Sequence, residues 1–155
     1  VTEETKLKPG CVIDRKRAGE IVDEFLYYYM VDFDDFDTRD DDDKETLSGL
    51  KSARRVLVKA VERGMLEFKM ETDKKGIDRM ITYQYLTHDM DNPIKYNEFN
   101  ARALIQMKNV HEKDSVGKIH AVMASLSEKP PKFIGGLYNF DEKIMRNLGT
   151  IFLAQ

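Results

Sequence analysis

Residues 65–71, MLEFKME, and residues 79–86, RMITYQYL, decide the fold class of this chain. In the first, Leu66, Phe68 and Met70 alternate with the charged Glu67, Lys69 and Glu71; in the second, Ile81, Tyr83 and Tyr85 recur with the same period of two. Successive side chains of a strand point to opposite faces, so each segment predicts a half-buried strand. Thr72-Asp73-Lys74-Lys75-Gly76 between them is turn chemistry, and together they predict an antiparallel hairpin near 65–87.

Upstream, Leu50, Ala53, Leu57, Ala60 and Val61 keep the helical period and predict a helix over 46–63, capped by Thr46 or Ser48 and stopped by Gly64 at a left-handed C′ position. Ala18, Ile21, Val22, Phe25, Leu26 and Tyr29 predict an earlier helix over 14–31, with Asp14 as its N-cap. Residues 1–13, with Pro9-Gly10, read as an irregular lead-in. Downstream, His88 to Pro93 reads as a loop and Ile94 to Glu98 as a possible third strand, while 97–109 fits helix and strand equally. Asp114 should cap a helix over 114–126, ended by Pro130-Pro131, with a bend at Gly135-Gly136. Asn139 with Glu142 reads as the capping box of a last helix over 140–153. The expectation is α+β: one domain over 1–155 in which a small antiparallel sheet packs with helices.

Charge is unevenly placed. Val31 to Glu45, VDFDDFDTRDDDDKE, holds nine carboxylates against Arg39 and Lys44, a local net charge of −7 in a chain whose total is −3, so the remainder sums to +4. The segment reads as an acidic loop over 32–45, and so many like charges repel unless water, salt or a cationic partner relieves them. It fails as a calcium loop, because aligning Asp34 through Glu45 puts Phe36 at the third position and Arg39 at the sixth. A looser cation site, a solvated loop and a contact with a basic protein surface remain. The interleaved Phe33 and Phe36 add weight to the last, because a purely solvating loop has no use for two aromatics, unless they belong to the core as an end of the first helix.

Conventional catalytic patterns are missing. His88, His111 and His120 show no metal-ligand spacing, and His88-Asp89-Met90-Asp91 is better explained as a polar loop than as a metal site. Cys11 beside Lys8-Pro9-Gly10 reads as an inert thiol, and no phosphate loop, dinucleotide fingerprint or nucleophile elbow occurs. Scattered basic residues, with short groups at Arg15-Lys16-Arg17 and Arg54-Arg55, argue against nucleic acid as the main ligand. Tyr27, Tyr28 and Tyr29 lie about 100° apart on a helix, so they cannot all enter one core stripe. The eight methionines read mostly as adaptable core filler. One cysteine, no apolar run near the ~20 residues of a membrane span, and a first segment (VTEETKLKPG) without signal-peptide character predict a cytoplasmic protein.

Ala60 to Phe68, AVERGMLEF, runs from a helix end through glycine into a strand. With the hairpin, the helix before Pro130-Pro131 and the closing NFDEKIMRNLGTIFL, this order over 47–153 resembles small tail assembly chaperones and related structural proteins of tailed bacteriophages. The resemblance implies no catalysis and no cofactor, location in the host cytoplasm or the virion, and binding to other tail or head-tail proteins. The expected function is a non-enzymatic protein-interaction or assembly factor, with Tyr28, Phe33 and Phe36 as anchors and Asp40, Asp41, Asp42 and Asp43 steering a basic partner. A homo-oligomer is compatible with it. The alternatives are a cation-binding module or metal-dependent enzyme using the acidic segment with His88 and Asp91, and an acidic regulator that occupies a basic partner.

Overall fold

The computed structural model describes residues 7–154, so residues 1–6 of the expected lead-in lie outside the described residues. From Leu7 the lead-in is irregular, and it is fastened where the Val12 N–H donates to the Glu62 carbonyl at 2.7 Å. The elements are α1 (Arg15–Tyr28), α2 (Asp41–Glu62), β1 (Leu66–Thr72), β2 (Asp78–Leu86), β3 (Asp89–Tyr96), α3 (Ala101–Met107), α4 (Ser115–Ser127), α5 (Pro131–Gly135) and α6 (Asn139–Phe152). A single three-stranded antiparallel sheet in the order β1-β2-β3 packs with the helices, which is the α+β class expected. The hairpin pairs Leu66 with Gln84 through to Thr72 with Asp78. Its turn is closed by the Asp73 carboxylate, which accepts from the N–H groups of Lys75 (2.8 Å) and Ile77 (3.0 Å).

The largest correction concerns the acidic segment. It is not a loop to residue 45: α2 begins at Asp41, and the predicted caps Thr46 and Ser48 lie inside it. Asp40 is the N-cap, its carboxylate accepting from the N–H groups of Asp42 (2.9 Å) and Asp43 (3.1 Å). Asp41, Asp42 and Asp43 form the first turn, where the unpaired N–H groups and the helix dipole stabilise each anion by roughly 0.3–1 kcal/mol. Helix geometry thereby offsets the mutual repulsion that suggested a loop. The rest of the segment is a short 3-10 turn at Phe33–Asp35, capped by Asp32.

Smaller corrections follow the same logic. The third strand starts at Asp89, within the expected loop, because β3 is an exposed edge strand that tolerates polar residues and Pro93. The ambiguous 97–109 segment contains a helix, α3, capped by the Asn100 side chain, with Ala103 wholly buried. Asp14 and Asp114 cap as expected, at 2.9 Å to Arg17 N and 2.8 Å to Gly117 N. Asn139 does not cap: Tyr138 holds that position without a side-chain bond, and Glu142 lies 3.2 Å from His120 Nε2 instead of closing a capping box. Three helices, α1, α2 and α4, end in the same double hydrogen-bond pattern around one left-handed residue, respectively Met30, Gly64 and Glu128.

The core lies between the helices and one face of the sheet. Phe25 stacks on Phe68 (centroids 4.3 Å apart) and meets Tyr29 and Phe152 edge-on. A buried polar relay crosses it: the Tyr96 hydroxyl donates to Gln84 Oε1 (2.8 Å), and Gln84 Nε2 donates to the Asp141 carbonyl (2.7 Å). The wholly buried Asp141 carboxylate accepts from the Thr87 hydroxyl at 2.8 Å and from its N–H at 3.1 Å, tying α6 to the β2–β3 turn.

Candidate functional site

A surface concavity of about 1050 Å³ opens where α1 ends and the chain turns back toward α2. Its floor and walls are Leu26, Tyr27, Met30, Val31 and Phe33, with Asp23, Asp32, Asp34, Lys51, Arg54 and Arg55 at the polar rim. The turn that makes it follows from the end of α1. Met30 N–H donates to the Tyr27 carbonyl (3.0 Å) and Val31 N–H to the Leu26 carbonyl (2.9 Å), which reverses the chain through Met30 at φ +59°. Val31 is thereby buried, while Tyr27 and Met30 are each 86% exposed.

The opposite wall is held by Arg54, whose guanidinium donates two hydrogen bonds to the Asp23 carboxylate, at 2.9 and 3.1 Å. That forked pair joins α2 to α1 and raises the guanidinium's proton affinity further. Lys51 and Arg55 have no carboxylate partner among the described residues. Below the rim, Arg39 donates to Asp37 from its backbone and its side chain, holding that carboxyl below the usual range.

The expected site residues separate. Phe33 does line the groove, half-buried. Tyr28 turns inward, where its hydroxyl accepts from the Met80 N–H at 3.2 Å and fastens α1 to β2. Phe36 is half-buried against the core and outside the groove. Asp40, Asp41 and Asp42 are exposed at the start of α2, and Asp43 is half-exposed, one oxygen accepting from the Asp37 N–H at 3.0 Å. The exposed tyrosine of the triplet is Tyr27, and its position off the apolar stripe of α1 is the signal that marks it. Met30 lies off that stripe as well; what the sequence hides is its left-handed backbone, because such a helix end normally carries glycine.

A second cleft, about 630 Å³, lies between the β2–β3 turn and α5, lined by Leu86, His88, Pro130, Phe133, Tyr138 and Asp141 among others. There His88 packs edge-on against Tyr138, centroids 4.7 Å apart, and not against an acidic cluster. Among the described residues no three metal-binding side chains gather in one place, and no helix is long and apolar enough to cross a membrane. Cys11 lies beside the buried Glu62 carboxylate, 3.7 Å away, and Arg15 pairs with that carboxylate at 2.6 Å. Compared with known proteins, the chain matches no family model, no curated protein and no solved structure. The groove is therefore read from its own chemistry.

Proposed function

We infer that this chain is a non-enzymatic protein-interaction or assembly factor whose partner polypeptide docks in the groove at the end of α1. Tyr27, Met30 and Phe33 serve as apolar anchors, and the carboxylates of Asp40, Asp41, Asp42 and Asp43 steer a basic surface toward them. The observation that carries the reading is the pair Tyr27 and Met30, both 86% exposed at the lip of an apolar depression. Tyrosine buries a large area at low entropic cost and methionine adapts to irregular surfaces, which is why both are enriched at interfaces. Met30 also keeps a backbone conformation in which glycine would be more stable, and strain at an exposed side chain is a recognised mark of functional positions. Assembly of a bacteriophage tail is the setting this reading favours, on the likeness in element order alone.

A photo-reactive side chain at position 27 tests it, with the same group at the exposed Met70 of β1 as control. The expected result is a discrete adduct from position 27 with a polypeptide encoded beside this chain, and none from position 70. Equal labelling from both positions, or none from either, refutes the groove as a docking site.

A further inference from the structure

We propose that a second copy of this chain packs antiparallel on the outer face of α2, forming a two-fold dimer. The proposal needs neither the Tyr27 nor the Met30 anchor, although Arg55 also lies at the rim of their groove and Asp41 is one of the steering carboxylates, so loss of docking in a Met30 variant leaves it untouched.

Along α2, Asp41, Glu45, Ser48, Ser52, Arg55 and Lys59 follow one another at steps of four and three, so they form one stripe, and all six are exposed. Five turns, about 27 Å, separate the first from the last. The stripe is antisymmetric in charge: two carboxylates, two hydroxyls, two cations. A two-fold axis between Ser48 and Ser52 sets Asp41 against the partner copy's Lys59, Glu45 against its Arg55, and serine against serine. A symmetric dimer interface must be self-complementary in this way, and any parallel pairing would oppose like charges. None of the four charged residues has an ion-pair partner in its own chain among the described residues. Arg55 reaches only the Ser52 hydroxyl (2.9 Å), and Lys59 lies over the Phe140 ring, 5.5 Å from its centroid.

The surroundings complete the match. At the cationic end the groove between α2 and α6 adds Lys143, beside an Arg146 that is paired with Glu142, so the partner's acidic helix start meets further positive charge. Level with the centre, at the edge of the stripe, sits the exposed Gly49, where an added Cβ would meet nothing within 4 Å of its own chain. Nothing within the monomer calls for glycine there, and in mid-helix it costs roughly 0.5–1 kcal/mol relative to alanine. About 60° round the helix from Ser52, it leaves room for a second helix on that side of the crossing point.

Sedimentation velocity on the purified chain at low and high salt gives the first reading, the monomer being 18.0 kDa. The expected result is a dimer near physiological ionic strength whose association weakens roughly tenfold or more as salt screens the pairs. The decisive test uses two variants, Asp41→Lys/Glu45→Lys and Arg55→Glu/Lys59→Glu, each checked for native helix content by circular dichroism. Each carries like charge along its whole stripe and should be monomeric, whereas their equimolar mixture should form a heterodimer. A wild-type chain that stays monomeric at ~100 µM and low salt overturns the proposal. So do folded variants that still self-associate, or a mixture that does not pair.

Discussion

Replacing Met30 by glycine should stabilise the protein while weakening docking. The three helix ends that share one cap pattern allow the size to be worked out. At the end of α2 the left-handed residue is Gly64 at φ +71°, with hydrogen bonds of 3.1 Å (Gly64 N to Val61 O) and 2.9 Å (Met65 N to Ala60 O). At the end of α1 the same two bonds measure 3.0 and 2.9 Å around Met30, so the hydrogen bonding is equivalent and the residue itself makes the difference. A side chain in the left-handed region costs roughly 1–2 kcal/mol through the Cβ and carbonyl clash. Glycine recovers that but loses about 0.5–1 kcal/mol to its larger unfolded-state entropy. Met30 is 86% exposed, so little packing is lost with its side chain. The net expectation is a gain of about 0.5–1 kcal/mol, or roughly 1–4 °C in Tm for a chain of this size. Thermal melts and urea titrations measure it, with an unchanged slope showing that the native state is still compact. Met30→Ala keeps the strain and should be nearly neutral. The reverse change, Gly64→Ala, should cost more than 1 kcal/mol (about), since its Cβ would also lie 3.1 Å from Val12 Cγ2. A Met30→Gly protein no more stable than the parent would refute the assignment of strain to this residue, and with it one support for the docking role.

Other expected outcomes test the cap, the sheet and the core. Asp40→Ala should remove the α2 cap at a cost of about 1 kcal/mol, while Asp40→Asn, which still caps, should cost far less; equal losses in chemical denaturation would mean that Asp40 acts through charge and not as a cap. The Tyr83 hydroxyl donates to the Glu71 carboxylate, and mainly that bond pushes its pKa up from 10.0 to about 12. The bond's contribution is complete below pH 10 and disappears as pH rises through about 12. In an absorbance titration Glu71→Gln should return this one phenol toward 10, and an unchanged profile would refute the pairing. Thr82 is 1% exposed and its hydroxyl has no hydrogen-bond partner, so Thr82→Val, of the same shape, should raise stability by about 1 kcal/mol; a loss would reveal a partner for the hydroxyl.

Where one local force dominates, the sequence states the fold clearly. The period of two in 66–70 survives as β1 because one face is buried and a one-residue slip would expose Phe68; β2 forms where expected but turns Met80, Thr82 and Gln84 to that buried face, leaving Tyr83 and Tyr85 half-exposed on the other. Gly64 acts through its backbone conformation, Asp14 and Asp114 each through one local side-chain hydrogen bond, and all three sit where they were expected. Elsewhere two forces compete and the pattern misleads. Asp89 to Pro93 has loop composition, yet the ladder with β2 holds it as an edge strand. Asn139 and Glu142 have capping-box spacing, but Asp141 between them is fastened to Thr87 and Glu142 is drawn to His120 and Arg146. Of the site, Phe33 lies in the groove, and helical angles required an exposed tyrosine; the expected anchor was Tyr28, whereas the exposed one is Tyr27, and Met30 broke the rule that glycine ends helices.

The acidic run illustrates how one composition supports opposite readings until the backbone is known. As a loop, carboxylates at 40–43 can only repel one another. As a cap and first turn they are placed where backbone N–H groups point, so Asp40 forms two hydrogen bonds and the next three aspartates meet the positive end of a helix of 22 residues. The same helix carries Arg54, Arg55 and Lys59 in its second half, so most of its charges follow its dipole, Lys44 and Glu62 apart. Local helix stability explains why aspartates open α2, but it does not require an exposed stripe of unpaired charges or a glycine at its midpoint. A helix selected only for its own stability would place Glu and Lys four residues apart and pair them within the chain. Here the opposite charges of the stripe stand three to five turns apart, too far to meet within one helix. Water and salt solvate such charges in the monomer, but the self-complementary order of this stripe is what a second α2 would match.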